Sequence, residues 1–184
     1  MADLGLLKTD FEDFECSLRE ASCDEENKQY LCSSPHPVYC FDKYMKTLYP
    51  SSTPCSFDVL HFPSAYKNLI ICIEFKNQIL SDIEMSDVYK KYEDGFKELE
   101  ELFKKNKLSI KDYCFEFFLV CKNSVSGRTI SRDKLNRNDN KESDLKKWVK
   151  AHENKMIRKS TPQIKRIQEC VAYYKAFFSS SCSK

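Results

Sequence analysis

PCSFDVLHFPSAYKNLIICIEFKN, residues 54–77, is the stretch whose reading decides the fold. Two runs rich in Val, Ile, Leu, Phe and Cys, Cys55 to Phe62 and Lys67 to Lys76, flank a short Pro63-Ser64-Ala65 turn, the pattern of a β-hairpin. The core of the second run, Asn68 to Ile73, is continuously apolar after its first residue, as expected of a strand covered on both faces. Glu74 and Lys76 then interrupt the apolar series. Strand side chains alternate, so these two share a face and Phe75 points the other way. Asp58, isolated among apolar neighbours on the first run, can be brought onto that same face by hairpin pairing. Two carboxylates and an ammonium at the end of a buried hairpin are costly unless something pairs them. The partner is either a divalent metal or an internal Asp–Lys or Glu–Lys ion pair.

Working outward, Val88, Tyr92, Phe96, Leu99 and Phe103 keep a 3.6-residue period, predicting a helix from about Ser86 to Lys105. Gly95 in its middle costs roughly 1 kcal/mol against Ala. Lys111 to Lys122, KDYCFEFFLVCK, reads as a further strand, parallel to the Lys67–Lys76 strand through a right-handed helical crossover. Upstream, Leu7, Phe11, Phe14 and Leu18 predict an amphipathic helix from Thr9 to Ala21, and residues 22 to 37 read as a loop. Phe41, Tyr44, Met45 and Leu48 mark a short helix stopped by Pro50. Downstream, residues 123–141 are polar. Ser143 or Asp144 caps a helix carrying Leu145, Trp148, Val149, His152 and Met156. Thr161-Pro162 then opens a last helix, with Ile164, Ile167, Val171, Tyr174 and Phe178 as its buried stripe.

Asp58, fifteen residues, and then Glu74-Phe75-Lys76 resembles the PD-(D/E)xK signature of the restriction-endonuclease-like nucleases. Pro54 lies upstream of Asp58 rather than beside it, so the literal Pro-Asp pair is absent. The resemblance covers roughly residues 10 to 122, and the order hairpin, helix, strand is the core order that fold requires. The fold class that follows is α/β: a mixed central sheet, made of the hairpin plus a β-α-β crossover, flanked by helices, with C-terminal helices added. Residues 1–122 form the nuclease-like core; residues 123–184 form a basic loop and a helical pair packed on the same domain.

The resemblance implies hydrolysis of phosphodiester bonds, of DNA ahead of RNA, assisted by Mg²⁺ or Mn²⁺. Asp58, Glu74 and the backbone carbonyl of Phe75 would hold the ion, and Lys76 would orient the attacking water or offset developing charge. In such nucleases an acid on the first helix often completes the site. Glu15, bordering the buried face, is the first choice here, with Glu20 second and Glu12 less well placed. Many relatives act as dimers, so a homodimer is open. A non-catalytic nucleic-acid- or protein-binding module on the same scaffold is the alternative, with Asp58, Glu74 and Lys76 as a buried ion-pair cluster.

Charge fits a phosphate-binding surface beside an acidic site. Residues 1–70 carry −5, residues 71–120 carry −3, and residues 121–184 carry +10. Arg128, Arg132, Lys146, Lys147, Lys150, Arg158 and Lys159 are the candidate phosphate contacts; a solvated lysine-rich helical tail explains the same charge.

Composition excludes other classes. At 184 residues, 41% hydrophobic, the chain suits one folded domain. Its three glycines, Gly5, Gly95 and Gly127, cannot form a glycine-rich phosphate loop. No Gly-x-Ser-x-Gly elbow occurs, and His36, His61 and His152 are scattered. No apolar run approaches the roughly 20 residues of a membrane span, and the N-terminus lacks a secretory pattern. A cytoplasmic protein without membrane contact is expected. Ten cysteines without a Cys-x-x-Cys pair argue against a disulfide framework, and Cys72, Cys114 and Cys121 read as small core hydrophobes. Cys32-x3-His36-x3-Cys40 has spacing that could begin a zinc site, completed by Cys23, Cys55 or His61.

Overall fold

The computed structural model describes residues 4–64, 66, 68–122, 140–141, 143–144, 147 and 160–166, the last segment as backbone alone. Its centre is the pair of long strands expected from the apolar runs: β6 (Leu69–Ile79) and β7 (Cys114–Lys122), hydrogen-bonded in parallel from Leu69↔Cys114 to Lys76↔Cys121. Parallel neighbours need a long connection, supplied by the 21-residue helix α4 (Met85–Lys105). The chain reverses just past the helix at Lys107, whose φ is 56°. Lys107 N donates to Lys104 O and Leu108 N to Phe103 O, the paired bonds of a Schellman stop built without glycine.

β5 (Val59–His61) pairs antiparallel with β6, completing the hairpin, and β4 (Pro37–Cys40) pairs antiparallel with β5. β1 (Glu15–Ser17) closes one edge against β4, and β8 (Ser160–Arg166) lies parallel to β7 on the other. The result is a six-stranded mixed sheet in the order β1-β4-β5-β6-β7-β8. A separate ribbon, β2 (Cys23–Asp24) with β3 (Gln29–Tyr30), stands apart from it.

Alternation in β6 and β7 sends side chains into two apolar layers. Ile70, Cys72, Phe115, Phe117 and Leu119 face a core made with α1 (Gly5–Thr9), α3 (Phe41–Leu48) and α4. Ile71, Ile73, Phe118 and Val120 face the opposite layer, covered by Leu18 of α2 (Leu18–Ala21), Cys32 and Val38. Both strands are therefore buried on both sides, which is why their sequences are nearly continuous in apolar residues. Gly95 allows the close approach of α4. A Cβ there would come 2.7 Å from Phe57 Cε1 and 2.8 Å from Cδ1, and Phe57 is itself stacked on Phe41 at 4.6 Å.

Three expectations need correction. The single helix over Thr9–Ala21 is instead α1, a 3-10 turn at Glu12–Phe14, strand β1 and then α2. Ser17 and Glu20 form a capping box at the start of α2, so the chain stops and restarts its helix there while Leu7, Phe11 and Leu18 stay fully buried. The loop over 22–37 contains the β2–β3 ribbon and the start of β4. Finally, Thr161-Pro162 opens no helix. Both residues belong to β8, opposite Glu116 and Phe117 of β7. The buried strand β7 needs a neighbour on its free side, and proline is tolerated at a sheet edge. The expected helix after Ser143 has helical backbone at Ser143, Asp144 and Lys147; the rest of it, and the residues after Arg166, lie outside the described residues.

Candidate active site

The hairpin brings Asp58 and Glu74 to one place. Asp58 precedes β5 and is pinned through its backbone: its N–H donates to Ile73 O at 3.0 Å, and its carbonyl accepts from Phe41 N at 2.9 Å. Its carboxylate Oδ2 accepts from Phe75 N at 2.7 Å, tying it to the middle of the Glu74-Phe75-Lys76 tripeptide. Glu74 and Lys76 leave β6 on the face that meets α4, as the alternation required. The Lys76 ammonium is 3.3 Å from Glu74 Oε1.

Helix α4 adds a residue that the sequence reading passed over. Lys91 Nζ lies 2.7 Å from Glu74 Oε1 and 3.5 Å from Asp58 Oδ1, bridging the two acids. Its signal was the spacing Val88–Lys91–Gly95, which puts Lys91 at the border of the apolar stripe rather than on the charged face. Asp42 on α3 is a second addition. Its N–H lies 3.4 Å from Asp58 O, and its charge acts on both Asp58 and Lys91.

The site is closed below and open above. The Glu74 side chain has no exposure, whereas the side chains of Asp58, Lys76 and Lys91 keep 22%, 23% and 28%. Glu74 Oε2 and the Tyr92 hydroxyl are buried with no hydrogen-bond partner among the described residues. Tyr92 is held edge-on to Phe117 at 4.8 Å and is fully buried among α4 and sheet residues. Burial, then the Asp58 charge, push the Glu74 carboxyl up to about 8 despite the two lysines. Burial also raises Asp58, against the pull of Lys91 and the Phe75 N–H. Burial works to lower Lys91, but the charges of Asp58 and Glu74 outweigh it and hold the ammonium well above its ordinary value. Just beyond the site the β6–β7 register shifts between Lys76 and Ile79, and Asn77 Nδ2 donates to Asp24 Oδ2 of the small ribbon. Register irregularities of this kind are common beside active sites.

The other predicted site residues separate into those placed elsewhere and those not described. Glu15 is exposed on edge strand β1. The ladder Glu15↔Tyr39↔Leu60↔Cys72 puts it on the Glu74 face, but three strand spacings away, roughly 14 Å at about 4.8 Å each. The structure does not bring it to Asp58 and Glu74. Glu20 is committed to the Ser17 cap, and Glu12 lies in the 3-10 turn. Lys147 is exposed and pairs with Asp144 at 3.3 Å. Arg128, Arg132, Lys146, Lys150, Arg158 and Lys159 fall outside the described residues.

As a cation site, the residues offer oxygen donors suited to Mg²⁺ or Mn²⁺: the Asp58 and Glu74 carboxylates, including the unpartnered Oε2, and the Phe75 carbonyl. That donor set fits a small hard cation. No cluster of three or more His, Cys, Asp or Glu side chains suited to a metal occurs among the described residues. Cys32, His36 and Cys40 accordingly form no such cluster. Cys32 is buried in the second apolar layer, Cys40 lies beside Cys16, and the His36 ring meets His61 edge-on at 5.1 Å. Cys72 and Cys121 are buried in the sheet core. No helix among the described residues is long and apolar enough to cross a membrane.

Compared with protein-family models, with curated proteins and with solved structures, the chain matches none. The functional reading therefore rests on the residues themselves.

Proposed function

We propose that this chain is a divalent-cation-dependent nuclease of the restriction-endonuclease-like type, hydrolysing phosphodiester bonds of DNA ahead of RNA. One observation carries the reading: a fully buried acid, Glu74, faces Asp58 at the end of a hairpin whose other buried residues, Ser56 and His61 apart, are apolar. A buried acid is expensive to keep, whether it holds its proton or its charge. A hydrophobic residue at position 74 would sit beside Tyr92 without that cost, so a ligand that needs the carboxylate is the economical explanation. Bound Mg²⁺ or Mn²⁺ would supply a polarised water and charge stabilisation at the phosphoryl oxygens.

The chain's own residues divide the remaining work. Asp58, fixed by the Phe75 N–H, and Glu74, fixed by its strand, present preset oxygen donors. Lys76, reaching solvent from the same face, orients the attacking water or offsets charge on the scissile phosphate. The basic C-terminal third supplies phosphate contacts that act evenly across sequences and weaken with salt. Two copies acting together would cut both strands.

The Lys91–Glu74 ion pair favours a second reading, a non-catalytic binding module in which the lysines permanently neutralise the acids. Cleavage separates the two. Supercoiled plasmid and single-stranded DNA are incubated with the protein in Mg²⁺, Mn²⁺ or EDTA, then with Glu74→Ala and Lys76→Ala. Cation-dependent cutting lost in both folded variants supports the nuclease. Salt-sensitive binding without cutting supports the module.

A further inference from the structure

Lys91 holds a positive charge where two acids would otherwise face each other. It is the only lysine among the described residues that reaches both, at 2.7 Å from Glu74 and 3.5 Å from Asp58. Lys76 reaches Glu74 alone. Lys76 rises from β6 with 23% side-chain exposure, and Lys91 arrives from α4 on the same flexible four-carbon stem with 28% exposure. Lys91 can therefore turn towards solvent while the backbone stays still. Asp42, with 35% side-chain exposure and paired with Lys46 at 2.7 Å, adds a negative charge that Lys91 feels.

We propose that Lys91 is an internal counter-ion occupying the cation position between Asp58 and Glu74, and that a divalent cation of the Mg²⁺ class enters by displacing it. The inference rests on the nuclease reading for the identity of the ligand. A cation bound by the two carboxylates at about 2.1 Å would share space with an ammonium this close to both, and like charges at that separation repel strongly in a partly buried site. The unpartnered Glu74 Oε2 is the oxygen left available when Lys91 takes Oε1. Such an arrangement keeps the acids paired between binding events and lowers cation affinity, because the ion must first break an existing pair.

The test is direct Mn²⁺ binding, followed by loss of the free-ion electron paramagnetic resonance signal, on native protein, Lys91→Met and Lys91→Arg. Circular dichroism confirms that each is folded. Lys91→Met keeps the length and removes the charge; it is expected to bind one Mn²⁺ at least tenfold more tightly than native, while Lys91→Arg binds no more tightly. If Lys91→Met is unfolded alone, refolding on addition of Mn²⁺ supports the proposal and failure to refold in excess Mn²⁺ overturns it. Native protein and Lys91→Met binding Mn²⁺ equally, or Lys91→Met binding more weakly, overturns the counter-ion role and leaves the nuclease reading intact. No Mn²⁺ binding by any of the three overturns both.

Discussion

Replacing Glu74 by glutamine separates what this residue costs the fold from what it does. Its carboxyl ionises near 8 in the folded protein against an ordinary value of 4.5, chiefly because burial and Asp58 oppose the charge. Between those values the unfolded chain has released the proton and the folded chain has kept it. The Glu74 contribution to native stability then falls as pH rises, by about 1.4 kcal/mol per unit. The sum from pH 4.5 to 8 is up to about 5 kcal/mol, and above 8 the loss levels off. Glutamine has the shape of the protonated acid and does not titrate. Urea unfolding of native protein and Glu74→Gln at pH 5, 6.5, 8 and 9, without divalent cations, should show the variant gaining steadily on the native protein up to pH 8. The same variant should lose Mg²⁺-dependent cleavage. A stability difference independent of pH, or one that favours the native protein as pH rises, would refute the argument. It would mean that the lysines, rather than burial, set the state of Glu74.

Other consequences of the structure are as direct. Gly95→Ala gains about 1 kcal/mol of helix propensity but drives a methyl into the Phe57 ring, which cannot yield against Phe41; overpacking costs about 1–3 kcal/mol, so thermal unfolding should show net loss. Burial and the His36 and Lys8 charges drop His61 to about 3, so it stays neutral when the unfolded imidazole protonates below 6.5. The His61 contribution should therefore fall by roughly 2–3 kcal/mol on acidification from pH 6.5 to 4.5, offsetting the Glu74 gain in that window, and His61→Gln should gain on the native protein by that amount in denaturant titrations, whereas a difference independent of pH assigns acid sensitivity elsewhere. Ser17→Ala removes the side-chain half of the α2 capping box and leaves the Ser17 N–H bond to the Glu20 carboxylate; it should lower stability by about 1 kcal/mol, measured by calorimetry.

The centre of this fold was legible because its elements are long and strongly patterned. Continuous apolar runs could only be strands buried on both faces, and the stripe from Val88 to Phe103 could only be a helix laid against them. The alternation of β6 placed Glu74 and Lys76 on one face, and the hairpin turn returned Asp58 to it. The N-terminal segment misled because apolar residues three or four apart also suit short helices joined by a strand, provided each element turns its apolar side inward. Ser17-Leu-Arg-Glu20 carried the signature of a helix start inside the expected helix. Thr161-Pro162 was ambiguous, since proline suits both a first helical turn and an edge strand; the need of β7 for a neighbour is a tertiary fact that local sequence does not express. Lys91 escaped for a related reason. A lysine on a charged helix looks solvated until the helix is docked, and the docking distance was set by a glycine one turn further on.

The central claim is that Asp58 and Glu74 gather around one divalent cation. Soaking crystals of the protein in Mn²⁺ and collecting at the manganese absorption edge tests it without reference to any substrate. One anomalous peak between the two carboxylates and the Phe75 carbonyl, with Lys91 moved off Glu74, is the expected result. Well-ordered carboxylates at saturating Mn²⁺, still bridged by Lys91 with no peak between them, would contradict it.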